Sequence, residues 1–268
     1  MPKQFSGVDR NFDDLAERFD RNIYGQLKGK IRLAVLHRDF ADFLPIAPYV
    51  PLTPDKTCNI LDAGGGQGQF SLPLAAAGHS LTLCDLSQKM LSKAKIRAAQ
   101  LGAEGVRYIH SPIQSLPETV HYDVILCHAV MEWVVDPQAL LQCLWHKIQP
   151  GGYVSIIFYN HHALVYKNLL RANYKKVIAA DYRASRGSLT PINPIEPEQV
   201  LGWADSLGAE LLCHSGIRVF HDYILDPQSR QQAPDQVIEL ELSYSRRPPF
   251  RDLGRYVHLL LRKPMVED

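Results

Sequence analysis

The 268-residue sequence predicts an α/β fold. The expected architecture is a doubly wound, mostly parallel sheet with helices on both faces, an N-terminal helical lid and an insertion after the fifth strand. Three observations predict it. Short apolar runs of strand length alternate with longer segments whose apolar positions recur at helical spacing. The first run, Asn59–Ala63, breaks at once into Gly64-Gly65-Gly66, a side-chain-free turn that lets a bulky ligand approach the backbone. The second run closes on an acid, Asp85, about 20 residues further on. One domain spanning 1–268 is expected, with helices and linker over 1–55, a cofactor-binding core over 56–160, an insertion over 161–195 and the completion of the sheet over 196–268.

Each element has a local cause. Residues 11–19 read as helical. Leu33, Leu36, Phe40 and Phe43 fall three and four apart and make 27–44 an amphipathic helix. Pro45, Pro48, Pro51 and Pro54 stop it and stiffen the linker. After the glycine turn, 69–77 is helical up to Gly78, and 80–84 is the second strand. Ser87 caps a helix that Gly102 ends, with Met90, Ala94, Ala98 and Leu101 on its apolar face. Strands follow at 106–109 and 122–127. Asp136 caps a helix over 137–148, whose first residue, Pro137, gives up an amide that has no helical partner there. Pro150-Gly151-Gly152 then turns the chain into a strand at 153–158. Beyond the basic, Pro-rich insertion, a helix at 197–207 and strands near 210–220 and 254–261 finish the sheet. Residues 236–244 read as a helix, with a strand as the alternative.

A formal net charge of +1 says nothing about an anionic partner, but the distribution does. Basic residues gather in three places: Arg21 to Arg38, Lys167 to Arg186, and Arg246 to Arg255. Such a surplus suits phosphates, although a solvated face is the commoner cause of any one cluster. The five cysteines are scattered, lack Cys-x-x-Cys spacing and read as small buried hydrophobes in a reducing compartment, with no metal site. No run approaches the ~20 apolar residues of a membrane span. A cytoplasmic enzyme is expected, and nothing in the sequence signals an oligomeric state.

In an open parallel sheet, ligands bind beyond the carboxyl ends of the strands, where Asp85 can accept from both ribose hydroxyls. A nicotinamide dinucleotide and S-adenosyl-L-methionine would both suit such a site. Two details favour the latter. The dinucleotide fingerprint needs a small third residue at position 69, which is Gln69. A pyrophosphate gains nothing from Asp62 beside the turn, whereas a cationic amino-acid tail and sulfonium would be attracted by it.

With these residues the chain resembles the class I S-adenosylmethionine-dependent methyltransferases, whose sheet is Rossmann-like. Asp62-Ala63-Gly64-Gly65-Gly66 looks like their first motif and Asp85 like their ribose acid. Asp123 to His128, followed by Glu132-Trp133, looks like the fourth-strand motif, and Leu144 through Pro150-Gly151-Gly152 like the turn before the fifth strand. The resemblance narrows at Arg10-Asn11-Phe12-Asp13-Asp14, Arg21-Asn22-Ile23-Tyr24-Gly25, Phe158-Tyr159-Asn160, 216–223 and 253–258. These look like the bacterial tRNA 5-carboxymethoxyuridine methyltransferase family, over nearly the whole chain. The family pattern begins close to Arg10, and 175–191 departs from it. The resemblance implies methylation of the carboxylate of 5-carboxymethoxyuridine at the tRNA wobble position. It places the anticodon region of tRNA as partner and maps cofactor contacts onto Arg32, Gly64, Gly65, Asp85, Ile113, Gln114 and His128, to which the charge argument adds Asp62.

A carboxylate is ionised at neutral pH, so its methylation needs no general base. The work is positioning, and an arginine fork suits it. Arg218, alone among apolar neighbours, is the first candidate; an ion pair with Asp222 is its structural alternative. Tyr159, Asn160, His221 and Tyr223 are further candidates at strand ends, and His258 could also serve. Arg171, Lys175, Lys176, Arg183 and Arg186 are the expected phosphate contacts. The competing functions are a methyltransferase for a free carboxylic acid, a nicotinamide oxidoreductase and a silent adaptor of the same fold.

Overall fold

The computed structural model describes Asp9, Asp13 and residues 26–50, 57–182, 191, 193–226 and 228–265. Apart from Asp13, the helix expected at 11–19 lies outside the described residues, as do Pro51, Pro54, Arg183 and Arg186.

Seven strands form one sheet: β1 (Asn59–Ala63), β2 (Ser80–Asp85), β3 (Val106–His110), β4 (Tyr122–His128), β5 (Ile148–Tyr159), β6 (Glu210–Ile217) and β7 (Tyr256–Arg262). Their order is β3-β2-β1-β4-β5-β7-β6. The first five are parallel, and β7 runs antiparallel between β5 and β6. The order reverses between β1 and β4, which places a crevice outside their carboxyl ends.

The described helices are α1 (Leu27–Phe43), α2 (Ser71–Ala76), α3 (Gln88–Leu101), α4 (Pro137–Lys147), α5 (His161–Leu170), α6 (Tyr174–Ile178), α7 (Pro197–Ser206) and α8 (Pro234–Tyr244). Residues 236–244 are therefore helical. Strand neighbours face opposite sides, as a sheet covered on both faces requires. Leu61, Ile125 and Ile156 pack under Leu140, Leu144 and Val200 of α4 and α7. Ile60, Leu126 and Ile157 pack under Leu36 and Phe40 of α1, Leu72 of α2 and Ala94 of α3.

The capping chemistry behaves as expected. Ser87 Oγ accepts the Met90 amide, Asp136 Oδ1 accepts the Ala139 amide, and Gly102 ends α3 at φ 64°. One face assignment changes: Leu101 is 41% exposed, and Leu91 takes its place beside Met90, Ala94 and Ala98. Leu101 is the last residue of the helix, where the chain leaves it at Gly102. No helix among the described residues is long and apolar enough to cross a membrane.

Candidate active site

A cleft opens outside the carboxyl ends of β1, β2 and β4. Arg32, Asp62, Gly64, Gly65, Asp85, Ile113, Gln114 and His128 all line it. These eight residues come from five separate segments. The amides of Gly64 and Gly65 bond to the Cys84 carbonyl at 2.8 and 3.2 Å, which bends the turn back onto β2. Gly64 has φ +73°, and a Cβ there would lie 2.5 Å from Val130 Cγ2, while a Cβ on Gly65 would run into the Asp62 carboxyl. Neither Gly64 nor Gly65 therefore tolerates a side chain. Asp85 Oδ2 accepts the Gly66 amide at 2.8 Å and Oδ1 accepts the Ser87 amide at 2.7 Å, tying the turn to the start of α3. Ala129, just after His128, has φ 60°, a strained conformation of the kind that gathers at functional sites.

Asp62 is less open than its place in the sequence suggests. It is 5% exposed beneath the turn, and its Oδ2 accepts the Ser71 hydroxyl at 2.5 Å. Burial pushes its carboxyl up to about 7; the Ser71 bond opposes this, Asp85 adds to it and Arg32 weakly opposes it. A cationic ligand would draw out the proton and restore the charge. Affinity for such a ligand should rise as the pH goes from about 6 to 8, with proton release on binding near neutrality. Calorimetry in buffers of different ionisation enthalpy measures that release, and Asp62→Asn should abolish it. The folded, ligand-free chain holds this proton where the unfolded chain has lost it. The Asp62 contribution to stability therefore falls as the pH rises from about 4 through 7.

Sequence reasoning passed over Asp9. Its Oδ2 accepts from Gln114 Nε2 at 3.3 Å and its Oδ1 from the Val135 amide at 3.0 Å, so it stands at the cleft wall. A lone acid ahead of the family pattern carries no local signal of that position.

A second group of polar residues lies beside the cleft. The Tyr256 ring joins the two, since the guanidiniums of Arg32 and Arg218 lie 5.7 and 5.3 Å from its centre. Arg218 and Arg255 both reach Asp222 Oδ2, at 3.6 and 3.7 Å. Burial would raise the Asp222 carboxyl, but Arg218, His221 and Arg255 outweigh it and hold it well below the carboxylate range. Lys28 and Lys167 also feel Asp222, yet burial lowers both, Lys167 to about 8 with Arg255 adding to the shift. Two guanidiniums thus contact the Asp222 carboxylate, and two lysines lie within its electrostatic reach. Arg255 also lies 4.5 Å over the Tyr159 ring. Among the described residues, neither the buried Tyr159 hydroxyl nor Arg255 Nη1 has a hydrogen-bond partner.

Comparison with known proteins agrees with this geometry. A methyltransferase-domain family model matches residues 61–156. The chain is 40% identical over 263 residues to the tRNA 5-carboxymethoxyuridine methyltransferase of Escherichia coli K12, covering 97% of this chain and 98% of that protein. The chain belongs to that methyltransferase family. A ubiquinone biosynthesis O-methyltransferase of Shewanella pealeana is more distant, at 27% identity over 62% of this chain and 69% of its own. The fold is that of the magnesium protoporphyrin IX methyltransferase from Synechocystis PCC 6803, solved with S-adenosylhomocysteine, at TM-score 0.59 and 16% identity over 94% and 96% of the two chains.

The cofactor of this methyltransferase is S-adenosyl-L-methionine, and the cleft fits it. The buried Asp62 at the turn suits a positive ligand and disfavours a pyrophosphate, and Gln69 lines the cleft where the dinucleotide fingerprint needs a small residue.

The remaining candidates of this methyltransferase divide. Asn160 is fully buried: its Nδ2 donates to the Asp252 and Gly254 carbonyls and its Oδ1 caps α5 through the His162 amide. The buried His221 ring spends its nitrogens on Asp222 and the Arg230 carbonyl. Tyr223 donates to the Leu253 carbonyl at 2.7 Å. None of the three lines the cleft, and their polar atoms hold the fold around Arg218. The reason is topological: the loop after β6 must be tied to the start of β7. His258 is buried within the sheet, where its ring nitrogens meet Asp39 and Ser155.

Glu241, unmarked by any motif, is the strongest of these ties. Its buried carboxyl accepts the amides of Val219, Phe220 and His221 at 2.7, 3.2 and 2.9 Å. It thereby holds the loop after Arg218, whose own φ is 60°. Glu241→Ala leaves three amides unmet, two of them buried, and is expected to cost about 2–5 kcal/mol in chemical denaturation. Glu241→Gln, which keeps an acceptor oxygen, should cost less.

Proposed function

We propose that this chain methylates the carboxylate of 5-carboxymethoxyuridine at the wobble position of tRNA, giving the methyl ester. The observation that carries the reading is the pair of unmet buried donors, the Tyr159 hydroxyl and Arg255 Nη1, inside a group of four cations beside the cofactor cleft. Unmet donors with surplus positive charge call for an anionic acceptor. The full-length relative in Escherichia coli bears the name of an enzyme for such an acid.

S-adenosyl-L-methionine, when bound, supplies an electrophilic methyl on a positive sulfur. The chain would hold it through Arg32 and Asp62 at the amino-acid end, Asp85 at the ribose, and Ile113 and Gln114 at the base, with Gly64 and Gly65 giving backbone access. Arg218 and Arg255 would grip the acceptor carboxylate, and Tyr159 would donate to it. In the transfer a carboxylate oxygen forms the new bond to carbon as the carbon–sulfur bond breaks, so no proton moves. The cations must hold the anion without quenching it, because ground-state binding as tight as transition-state binding gains no rate. Asp222 serves that balance by drawing part of the charge of both arginines.

Supporting a large anionic partner, α5 and α6 present exposed Arg171, Lys175 and Lys176 together with exposed Tyr174 and an Ile178 that is 87% exposed. Basic residues interleaved with an aromatic ring suit phosphates and splayed bases of the anticodon loop. Arg38 and Arg246, from the other basic clusters, are bonded to Asp39. A cytoplasmic location follows from a tRNA substrate.

Nucleoside analysis of tRNA from a deletion strain tests the reading. The ester should vanish and the free acid should accumulate. Ester at its normal level would overturn the assignment, and transfer to a free carboxylic acid but not to tRNA would favour a small-molecule enzyme.

A further inference from the structure

We propose that Asp39, Ser155 and His258 form a buried relay that fixes the tautomer of His128, so that its Nδ1 meets the cofactor's ammonium group as a hydrogen-bond acceptor. This rests on the cleft being the S-adenosyl-L-methionine site. Four side chains separated widely in sequence join in one line. His258 Nδ1 lies 2.7 Å from Asp39 Oδ2, His258 Nε2 lies 2.9 Å from Ser155 Oγ, and Ser155 Oγ lies 2.8 Å from His128 Nε2. Asp39, Ser155 and His258 are wholly buried, while His128 lines the cleft.

The direction of the line follows from charge. Asp39 Oδ1 accepts from Arg38 Nε and Nη2 and from Arg246 Nη2, and Arg246 also reaches Asp42. Two guanidiniums keep Asp39 ionised, so it can only accept, and His258 Nδ1 must donate. Asp39 already faces two guanidiniums, so a fully buried imidazolium at His258 would stand as uncompensated charge. His258 is therefore neutral, with its lone pair on Nε2. Ser155 donates its proton to that lone pair and accepts from His128 Nε2–H. The lone pair of His128 is left on Nδ1, for which the described residues offer no partner. Burial keeps the His128 ring neutral, with Arg32 acting in the same sense. Arg32 and a neutral acceptor side by side match the carboxylate and ammonium of an amino-acid tail.

Cys213 also lies near, with an atom of Asp39, Cys213 and His258 all within 4.8 Å of one another. The two guanidiniums on Asp39 rule out a cation there. Asp39 stands about two turns along α1 from Arg32. The relay thus also pins the helix that carries Arg32 to the sheet that carries His128.

The test is a long-range proton–nitrogen correlation spectrum of the ligand-free, nitrogen-15-labelled protein, with the His128 signal identified by its loss in His128→Gln. Nε2 should be protonated and Nδ1 should not; a protonated Nδ1 in the wild-type spectrum overturns the relay. Ser155→Ala should yield a mixture of His128 tautomers and weaken cofactor affinity about tenfold, the loss of one charge-assisted hydrogen bond. Its kcat at saturating cofactor should stay near that of the parent. Ser155→Thr, which keeps the hydroxyl, should restore the tautomer. Asp39→Asn can donate to His258 Nδ1 and should reverse the line, placing the proton on His128 Nδ1. A folded Ser155→Ala protein with an unchanged tautomer would overturn the proposal. Wild-type protein that binds no S-adenosyl-L-methionine would overturn the ammonium partner and the cofactor assignment, while the ligand-free spectrum would still decide the relay.

Discussion

Arg218→Ala is expected to lower kcat/KM for ester formation by about 30- to 3,000-fold, the range for truncating one partner of a buried charge contact. The cofactor's Kd should stay within about twofold. Arg218 reaches the cleft only through the Tyr256 ring, which it shares with Arg32, and it does not line the cleft itself. Alanine keeps the Cβ that arginine already carries at φ 60°, so the backbone strain is common to both proteins. Glycine would relieve that strain and confuse the comparison. Asp222 keeps Arg255 at 3.7 Å, so removing Arg218 does not orphan a buried carboxylate. Arg218→Lys should recover only part of the rate, because an ammonium lacks the planar fork. Single-turnover kinetics with saturating cofactor, set beside calorimetry, separates the two quantities. A large loss of cofactor binding with transfer intact would move Arg218 to the wrong site.

Asp85→Ala should weaken cofactor binding about 100-fold or more, the largest single loss expected in the cleft. Each hydrogen bond to a charged group contributes about 1.5–3 kcal/mol. Asp85 would also lose its acceptance of the Gly66 and Ser87 amides, and with it the tie that shapes the turn. Asp85→Asn keeps one acceptor oxygen and should fall between alanine and the parent. Calorimetric titration with S-adenosyl-L-methionine measures the loss, and thermal unfolding shows how much comes from the loosened turn. Affinity unchanged within twofold would remove Asp85 from the site.

The cofactor half of the site is legible in the sequence because it is built locally. A strand that ends in Asp62 must turn at once, and only glycines leave the room that Val130 and the Asp62 carboxyl take up around Gly64 and Gly65. Asp85 closes the neighbouring strand, so parallel pairing alone brings it to the same edge. The acceptor half is legible only at Arg218, a charge amid apolar residues. Arg255, Lys28 and Lys167 join it from the start of β7, α1 and α5, and no spacing in the sequence announces their meeting. Asn160 and His221, polar residues at the right strand ends, proved to be bound into the fold. Position along a strand says which end a residue occupies and leaves open whether its polar atoms are already spent.

By itself, then, the sequence determined the order of strands and helices, the caps at Ser87 and Asp136, the glycine turn and the class of cofactor. Each depends on a backbone preference or a contact within a few residues. Only the tertiary structure decided that Asp62 lies under the turn with its proton held to about pH 7. It alone brought Arg218 and Arg255 onto Asp222 and linked Asp39, Ser155 and His258 to His128. These are properties of desolvation and of long-range contact. Burial strips water from a charge, and what then stabilises it is whichever group the packed sheet brings alongside.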